Sequence, residues 1–144
     1  MDELQNKYNG WTKIFTDGSM NGDGLGAAFY TNHGQTTGLF KIENNVSIMT
    51  VELFAIAEAL AHAIEASYNK IVILTDSKSS LLHLARCTSG FRGIPIAYTV
   101  LRHIYSLHQK GKKCKLQWIP SHTELSGNEE ADRLAKLAVL NGIE

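Results

Sequence analysis

Four consecutive branched aliphatic residues, Ile71-Val72-Ile73-Leu74, run directly into Thr75-Asp76 near the middle of this 144-residue chain. An apolar run without polar alternation is typical of a strand that is buried on both faces. Helices must then cover both faces of the sheet, which predicts an α/β fold. Asp76 would stand at the carboxyl end of the strand, where open α/β sheets bind ligands. It could instead cap the helix that follows, a frequent role of aspartate.

Downstream of this strand, helical and extended patterns alternate. The sequence predicts a short helix over Ser77–Arg86, a longer helix over Ile94–Gln109 and a strand over Lys115–Ile119. Gly111 ends the longer helix, and a final helix begins at Ser126 and closes at Asn141-Gly142. Because helical crossovers join the later strands, we expect these strands to pair in parallel.

Upstream, three extended segments are separated by turn residues, and they are Thr12–Asp17, Leu25–Thr31 and Gln35–Glu43. The glycine-rich residues 18–24 predict a turn, so the three strands should form an antiparallel meander. From Ser47 or Thr50 the period becomes helical, which places Glu52 in the first turn. The order βββαβααβα predicts an α/β fold: a five-stranded mixed sheet, three antiparallel strands and then two parallel ones, with helices on both faces.

Length and composition indicate one domain spanning residues 1–144. No apolar run approaches the roughly 20 residues that are needed to cross a bilayer. The N-terminal sequence lacks the basic-then-apolar order of a signal peptide. Cys87 and Cys114, the two cysteines, form no motif. We therefore expect an intracellular protein, cytoplasmic or nuclear, with reduced cysteines and no membrane association.

Charge is distributed unevenly along a chain whose formal net charge is zero. Residues 1–69 hold three basic and eight acidic residues, whereas residues 70–144 hold eleven basic and six acidic residues. Residues 78–122 contain no acid, and their cations include Arg92, Lys112 and Lys113. Such a basic segment fits contact with a phosphate backbone, although a solvated helix face would have the same composition.

Carboxylates occur in four separate segments of the chain, at Asp17, Glu52, Asp76 and Asp132. Each alone has an ordinary explanation: a turn, a helix dipole, a helix cap, or a surface pair with Lys136. Together they could share one location only if cations neutralised them. Two Mg²⁺ ions, with Mn²⁺ as a substitute, would suit this set because hard cations prefer oxygen ligands. Two such ions can hold both oxygens of a phosphoryl displacement, which indicates cleavage of a nucleic acid.

Two further polar residues lie near these segments. His122 follows the last predicted strand, and a histidine can transfer protons near neutral pH. An exposed loop histidine is the simpler interpretation of any single histidine. Asn128 lies one helical turn before Asp132 and would offer amide donors beside that carboxylate.

Four ordered segments make the chain resemble the type 1 ribonuclease H family over nearly its whole length. They are Thr16-Asp17-Gly18-Ser19, Thr50-Val51-Glu52-Leu53, Leu74-Thr75-Asp76-Ser77, and Trp118-Ile119-Pro120-Ser121-His122 followed by residues 127–135. The last segment is most similar to ribonuclease H domains of non-LTR retrotransposons and to short single-domain ribonucleases H. The resemblance implies a ribonuclease H-like fold and an endonuclease that hydrolyses the RNA strand of RNA/DNA hybrids.

The resemblance also implies roles for individual residues. The four carboxylates would bind two metal ions, and His122 would assist proton transfer or product release. Asn128 and the Gly18-Ser19 backbone would contact the 2′-hydroxyl groups of the RNA strand. One ion would activate water and the other would stabilise the leaving 3′ oxygen, so that the products carry a 5′-phosphate and a 3′-hydroxyl.

The chain departs from the family in one place. Many cellular members carry a basic, tryptophan-rich protrusion where this chain has only residues 87–93. Arg92, Lys112 and Lys113 would then provide part of the affinity for the hybrid. A fused reverse transcriptase or another fused domain is a further expected partner. Two alternatives stay open. One is a catalytically inactive ribonuclease H-like module that binds nucleic acid or protein, and the other is a nuclease of the same superfamily that acts on DNA.

Overall fold

The computed structural model describes residues 7–22, 24–31, 36–42, 46–120 and 126–141, except for the side chains at positions 126, 128, 140 and 141. The strands are β1 (Thr12–Asn21), β2 (Gly24–Thr31), β3 (Thr36–Ile42), β4 (Lys70–Thr75) and β5 (Lys113–Trp118). The helices are α1 (Ile48–Glu65), α2 (Lys78–Thr88), α3 (Pro95–Gln109) and α4 (Ser126–Asn141). The predicted order βββαβααβα is confirmed.

The strands form one mixed sheet in the order β3-β2-β1-β4-β5. β2 pairs antiparallel with β1 and with β3, whereas β4 pairs parallel with β1 and with β5. The run Ile71-Val72-Ile73-Leu74 in β4 is completely buried, as its unbroken apolar sequence predicts. The predicted mixed sheet of three antiparallel and two parallel strands is therefore confirmed.

Helices cover both faces of this sheet. Side chains alternate between the two faces along each strand, so a central strand contributes to an apolar cluster on each face. Ile71 and Ile73 of β4 pack with Leu60 of α1 in one cluster, which α3 also enters. Val72 and Leu74 point to the other face, where they pack in a second cluster with Ala131 of α4. The central strands are thus enclosed between helices, and the carboxyl ends of the parallel strands β1, β4 and β5 lie at one end of the sheet.

Helix α1 begins at the earlier of the two predicted starts, and the prediction that Glu52 lies in its first turn is wrong. Ser47 caps it, because the Ser47 hydroxyl oxygen accepts a hydrogen bond from the Thr50 amide at 3.2 Å. The helix starts at Ile48, so Glu52 is its fifth residue and lies in the second turn. The explanation of Glu52 as a partner of the helix dipole is weakened, because the dipole acts mainly within the first turn.

Strand β1 continues through most of the segment that was predicted to be a turn. Its pairing with β2 runs from Gly18 opposite Ala27 to Asn21 opposite Gly24. The turn prediction is therefore wrong for residues 18–21, since ladder pairing with β2 outweighs the turn tendency of glycine, asparagine and serine. Gly24 has a φ of 134°, a conformation that favours glycine, and it stands where the chain returns into β2.

Two predictions from composition concern the membrane and the cysteines. Among the helices of the described ranges, none combines the length and the apolar character that crossing a membrane requires. Cys87 is buried and Cys114 is half-buried, and both are free thiols. The expectation of unpaired cysteines is confirmed.

Candidate metal centre

Three of the four predicted carboxylates converge at one end of the sheet. Asp17 lies in β1, Asp76 directly follows β4, and Glu52 lies in α1. One oxygen atom from each lies within 4.8 Å of the others. The parallel pairing of β1 with β4 sets Thr16 opposite Thr75, so the residues that follow them also lie side by side. Carboxylate oxygens in such a cluster are suitable ligands for a divalent cation.

Gly18 joins the strand and the helix at this cluster. Its backbone N–H donates to Asp17 Oδ1 at 2.9 Å and to Glu52 Oε1 at 3.0 Å. A Cβ atom at this position would lie 2.9 Å from Val51 Cγ1 and 3.0 Å from Glu52 Oε1. The absence of a side chain at Gly18 therefore lets α1 approach β1 closely enough to bring Glu52 to Asp17.

Burial dominates the electrostatics of this cluster. The residues Asp17 and Glu52 are only 5% and 6% exposed. Burial, together with the charge of Asp76, raises the pKa of Asp17 from 3.8 to about 7, although the Gly18 amide lowers it. Burial and the charges of Asp17 and Asp76 raise the pKa of Glu52 from 4.5 to about 9. Both carboxyls therefore hold protons easily near neutral pH, and a bound cation would favour their ionised forms.

The donor set fits a divalent cation. Glu52 Oε2 is buried and has no hydrogen-bond partner in the described part of the chain. A buried polar atom in this state costs on the order of 1–3 kcal/mol, and more when it is charged. The influences on the pKa values of Asp17 and Glu52 are burial, other carboxylates and one amide, with no cation of the described residues among them. A metal ion would supply the missing positive charge.

Asp132 reaches the same cluster from α4. Its charge and a side-chain hydrogen bond both raise the pKa of Asp17. The predicted surface pair is also present, since Lys136 Nζ lies 3.1 Å from Asp132 Oδ2. The Asp132 side chain is 41% exposed, so it forms the solvent-facing rim of the cluster. The helix comes close to β1 because Gly127 lies directly against the Phe15 ring.

The alternative interpretation of Asp76 as a helix cap is wrong. Ser77 is the N-cap of α2, and its hydroxyl oxygen accepts a hydrogen bond from the Ser80 amide at 3.3 Å. The Ser77 amide in turn donates to Thr75 Oγ1 at 3.0 Å. Since these neighbours provide the local hydrogen bonds of the helix start, Asp76 is not required for capping.

The other predicted site residues lie in different places. His122 falls outside the described residues, and so does the side chain of Asn128. Ser19 is half-buried in β1, opposite Gly26. Arg92 is exposed in the connection between α2 and α3. None of these positions is tested as a contact with nucleic acid, and they stay predictions.

The two predicted lysine contacts lie at the far end of the sheet from the carboxylates. Lys113 is exposed at the start of β5, opposite Lys70, whereas the carboxylates lie beyond the end of β4. Lys112 Nζ donates to the carbonyl oxygen of Ala63 at 2.9 Å and also to that of Ala66. Its ammonium group therefore binds the C-terminal end of α1, where a positive charge is favourable.

Sequence reasoning missed one contact beside the cluster. Lys78 Nζ lies 5.7 Å from the centre of the Trp118 ring. Trp118 pairs in register with Thr75, so this cation and this ring flank the strand end that leads into Asp76. The available signal was the parallel register, because the last residue of β5 must lie beside the last residue of β4.

Comparison with known proteins agrees with this geometry. The RNase H family model matches residues 9–140 of the chain. Ribonuclease H1 of Homo sapiens is 25% identical over an alignment of 138 residues, and the match covers 85% of this chain and 48% of that protein. The chain thus spans about half the length of this relative. With the family match covering all five strands and the carboxylate cluster, the chain belongs to the RNase H family.

Proposed function

We propose that this chain is a ribonuclease H, an endonuclease that hydrolyses the RNA strand of RNA/DNA hybrids with the help of divalent metal ions. The observation that carries the proposal is the convergence of Asp17, Glu52 and Asp76 within 4.8 Å in a chain of the RNase H family. The expectation of a fused reverse transcriptase or another fused domain belongs to this proposal and is untested.

Four carboxylates would hold the metal ions, which we propose to be two Mg²⁺ ions with Mn²⁺ as a substitute. When bound, two such ions would lower the pKa of an attacking water and neutralise the leaving 3′ oxygen, so the expected products carry a 5′-phosphate and a 3′-hydroxyl. The buried residues Asp17 and Glu52 would form the fixed part of the site, because the Gly18 amide orients one oxygen of each. Asp132, at the exposed rim, would exchange more readily between Lys136 and the site.

The residues that the family resemblance implies for substrate binding differ in whether their polar groups already form hydrogen bonds within the protein. The Gly18 amide already donates to two carboxylates, so Ser19 is the stronger candidate for a 2′-hydroxyl contact in this segment. Asn128 would contact the RNA strand from α4, and His122 would assist proton transfer or product release. Arg92 and Lys113 are exposed and can meet phosphates, whereas Lys112 is engaged with α1.

A cleavage assay tests the proposal. In the presence of Mg²⁺, the wild type should cleave the RNA strand of an end-labelled RNA/DNA hybrid. It should leave duplex RNA and duplex DNA intact. Glu52→Gln should abolish cutting, whereas Glu65→Gln, an exposed acid at the other end of the same helix, is the matched control and should cut normally. Binding without cutting would indicate the inactive module, and cutting of duplex DNA would indicate the other nuclease class. Either result overturns the proposal.

A further inference from the structure

The outer side of β5 is an open sheet edge, because β5 pairs with β4 alone in the described part of the chain. The Lys113 amide donates to the Asn69 carbonyl oxygen at 2.9 Å, and the Ile119 amide donates to the Thr75 carbonyl oxygen at 2.8 Å. Main-chain groups alternate in direction along a strand, so those of residues 114 and 116 point away from β4. A row of main-chain donors and acceptors therefore lines this edge.

A cleft of about 440 Å³ lies against the start of this edge. Trp11 lines it from one face of the sheet, and Ile104 and His108 of α3 line it from the other. Lys112, Lys113 and Lys115 also line it. The lining of the cleft thus combines apolar side chains with three lysines.

Its two central lysines lack acidic partners. Lys113 and Lys115 are exposed, and the alternation of the strand puts them on the same face. Neither forms an ion pair with an acidic residue in the ranges that the structure describes. Two neighbouring positive charges repel each other, so an anionic ligand between them would be favoured.

At its other end, the edge reaches the metal centre. Trp118 is 41% exposed, and one face of its ring is covered by Lys78. From Lys113 to Trp118 the strand extends about 17 Å, at roughly 3.3 Å per residue. Because side chains alternate along the strand, Lys113 and Lys115 lie on one face of β5 and Trp118 on the other, so a ligand that contacts all three must follow the open edge itself. Surfaces that combine lysine charge with exposed aromatic rings bind single-stranded nucleic acids, since charge holds the backbone and rings stack on bases.

We propose that the β5 edge, from Trp118 to Lys113, binds single-stranded nucleic acid that continues from the strand at the metal centre. Lys115 and Lys113 contact successive phosphates on one face of the strand, and a base that passes over the edge to the other face stacks on the open side of the Trp118 ring. The exposed tryptophan favours nucleic acid over an acidic peptide, because a peptide of carboxylates offers no ring for stacking. The continuation of the bound strand from the metal centre rests on the proposed ribonuclease function. The binding of single-stranded nucleic acid to the β5 edge does not.

The test is the binding of a labelled single-stranded DNA oligonucleotide of about ten nucleotides, measured by fluorescence anisotropy at several salt concentrations without divalent cations. Each phosphate contact on a single strand contributes about 0.7 to the slope of log affinity against log salt. The double variant Lys113→Gln/Lys115→Gln should therefore bind more weakly and lose about 1.4 from this slope. Lys113→Arg/Lys115→Arg keeps both charges and should bind like the wild type. Arg102→Gln removes an exposed cation of α3 and is the matched control.

A second measurement follows the ring directly. The chain has two tryptophans, so Trp11→Phe leaves Trp118 alone to report. The oligonucleotide should quench its fluorescence, because a stacked base lies against the ring. An unchanged signal at saturating oligonucleotide would contradict the stacking contact.

Three results would overturn the proposal. They are a wild type that does not bind the oligonucleotide, a folded Gln double variant that binds it equally well, and polyglutamate that competes as strongly at equal charge. The last result would indicate an acidic peptide as the ligand. Cleavage of a blunt hybrid is measured separately, so loss of the ribonuclease assignment would be distinguished from loss of single-strand binding.

Discussion

The Gly18 amide lies 3.0 Å from Glu52 Oε1, and this hydrogen bond joins β1 to α1 at the metal centre. The two residues are 34 positions apart in the chain. Because the same N–H also donates to Asp17 Oδ1, one backbone group contacts two carboxylates of the candidate site and helps to fix their relative position. The spacing of these carboxylates is therefore sensitive to any change that pushes the helix from the strand.

Gly18→Ala should impair both activity and stability. The added Cβ would lie 2.9 Å from Val51 Cγ1, closer than ordinary contacts, so α1 must shift outward and carry Glu52 with it. We expect a loss of about 1–3 kcal/mol in unfolding free energy, as for other overpacked sites, and a clear fall in kcat. Urea denaturation and hybrid cleavage measure the two effects. Gly22→Ala is the control, because a Cβ there meets nothing within 4 Å.

Glu52→Gln should stabilise the protein at pH 8 in the absence of metal. The substitution removes a carboxyl that is buried with other acids, and whose pKa is raised to about 9 mainly by burial. We expect a gain of about 1–3 kcal/mol in unfolding free energy, comparable to relief of one unsatisfied buried group. Mg²⁺ should stabilise the wild type more than this variant. A destabilised Glu52→Gln protein with unchanged Mg²⁺ response would argue against a ligand role for Glu52.

The stability of the metal-free protein should fall as pH rises between about 4 and about 9. Unfolded, Asp17 and Glu52 titrate near their ordinary pKa values of 3.8 and 4.5, whereas folded they titrate near 7 and 9. Between these limits the folded state holds more protons than the unfolded state, so the unfolding free energy decreases with pH. Melting temperatures in EDTA across this range test the prediction. Saturating Mg²⁺ should flatten the upper part of the curve, and a stability that rises with pH in EDTA would contradict it.

Lys112→Met should weaken the fold. Its ammonium donates to carbonyl oxygens of Ala63 and Ala66 at the C-terminal end of α1, and methionine would leave them without this donor. We expect a loss of about 1–3 kcal/mol in unfolding free energy, typical of a hydrogen bond to a charged group. Lys113→Met, at the exposed neighbour, should change stability little. An unaltered stability with weaker binding of nucleic acid would instead support the predicted contact of Lys112 with the substrate.

The sequence predicted most of the fold because its strongest signals are local. The aliphatic run of β4 and the helical spacing of α1 come from periodicity, and the parallel sheet follows from the helical crossovers. The turn prediction for residues 18–21 was wrong because glycine occurs both in turns and where another element approaches the backbone closely, and the structure shows the second role at Gly18. Local composition cannot separate a loop glycine from one that accommodates a helix.

The candidate site was predicted through spacing and resemblance, and the pair of Asp132 with Lys136 was predicted from their i,i+4 spacing. No local pattern shows that Ser77 rather than Asp76 caps α2, or that Asp132 also acts on Asp17. The basic residues show the same limit. Lys112 and Lys113 are neighbours of the same type in the sequence, yet their surroundings differ. Lys112 binds the C-terminal end of α1, whereas Lys113 is exposed at the start of β5.

The parallel ladder between β1 and β4 has a consequence for how the centre forms. Asp17 and Asp76 come from strands that β2, β3 and α1 separate along the chain, so no short fragment of the chain holds both. Because closing so long a loop costs conformational entropy, we expect the two carboxylates to meet only when the sheet assembles. The proposed cation site would then exist only in the completed sheet, and cation uptake would report completed folding.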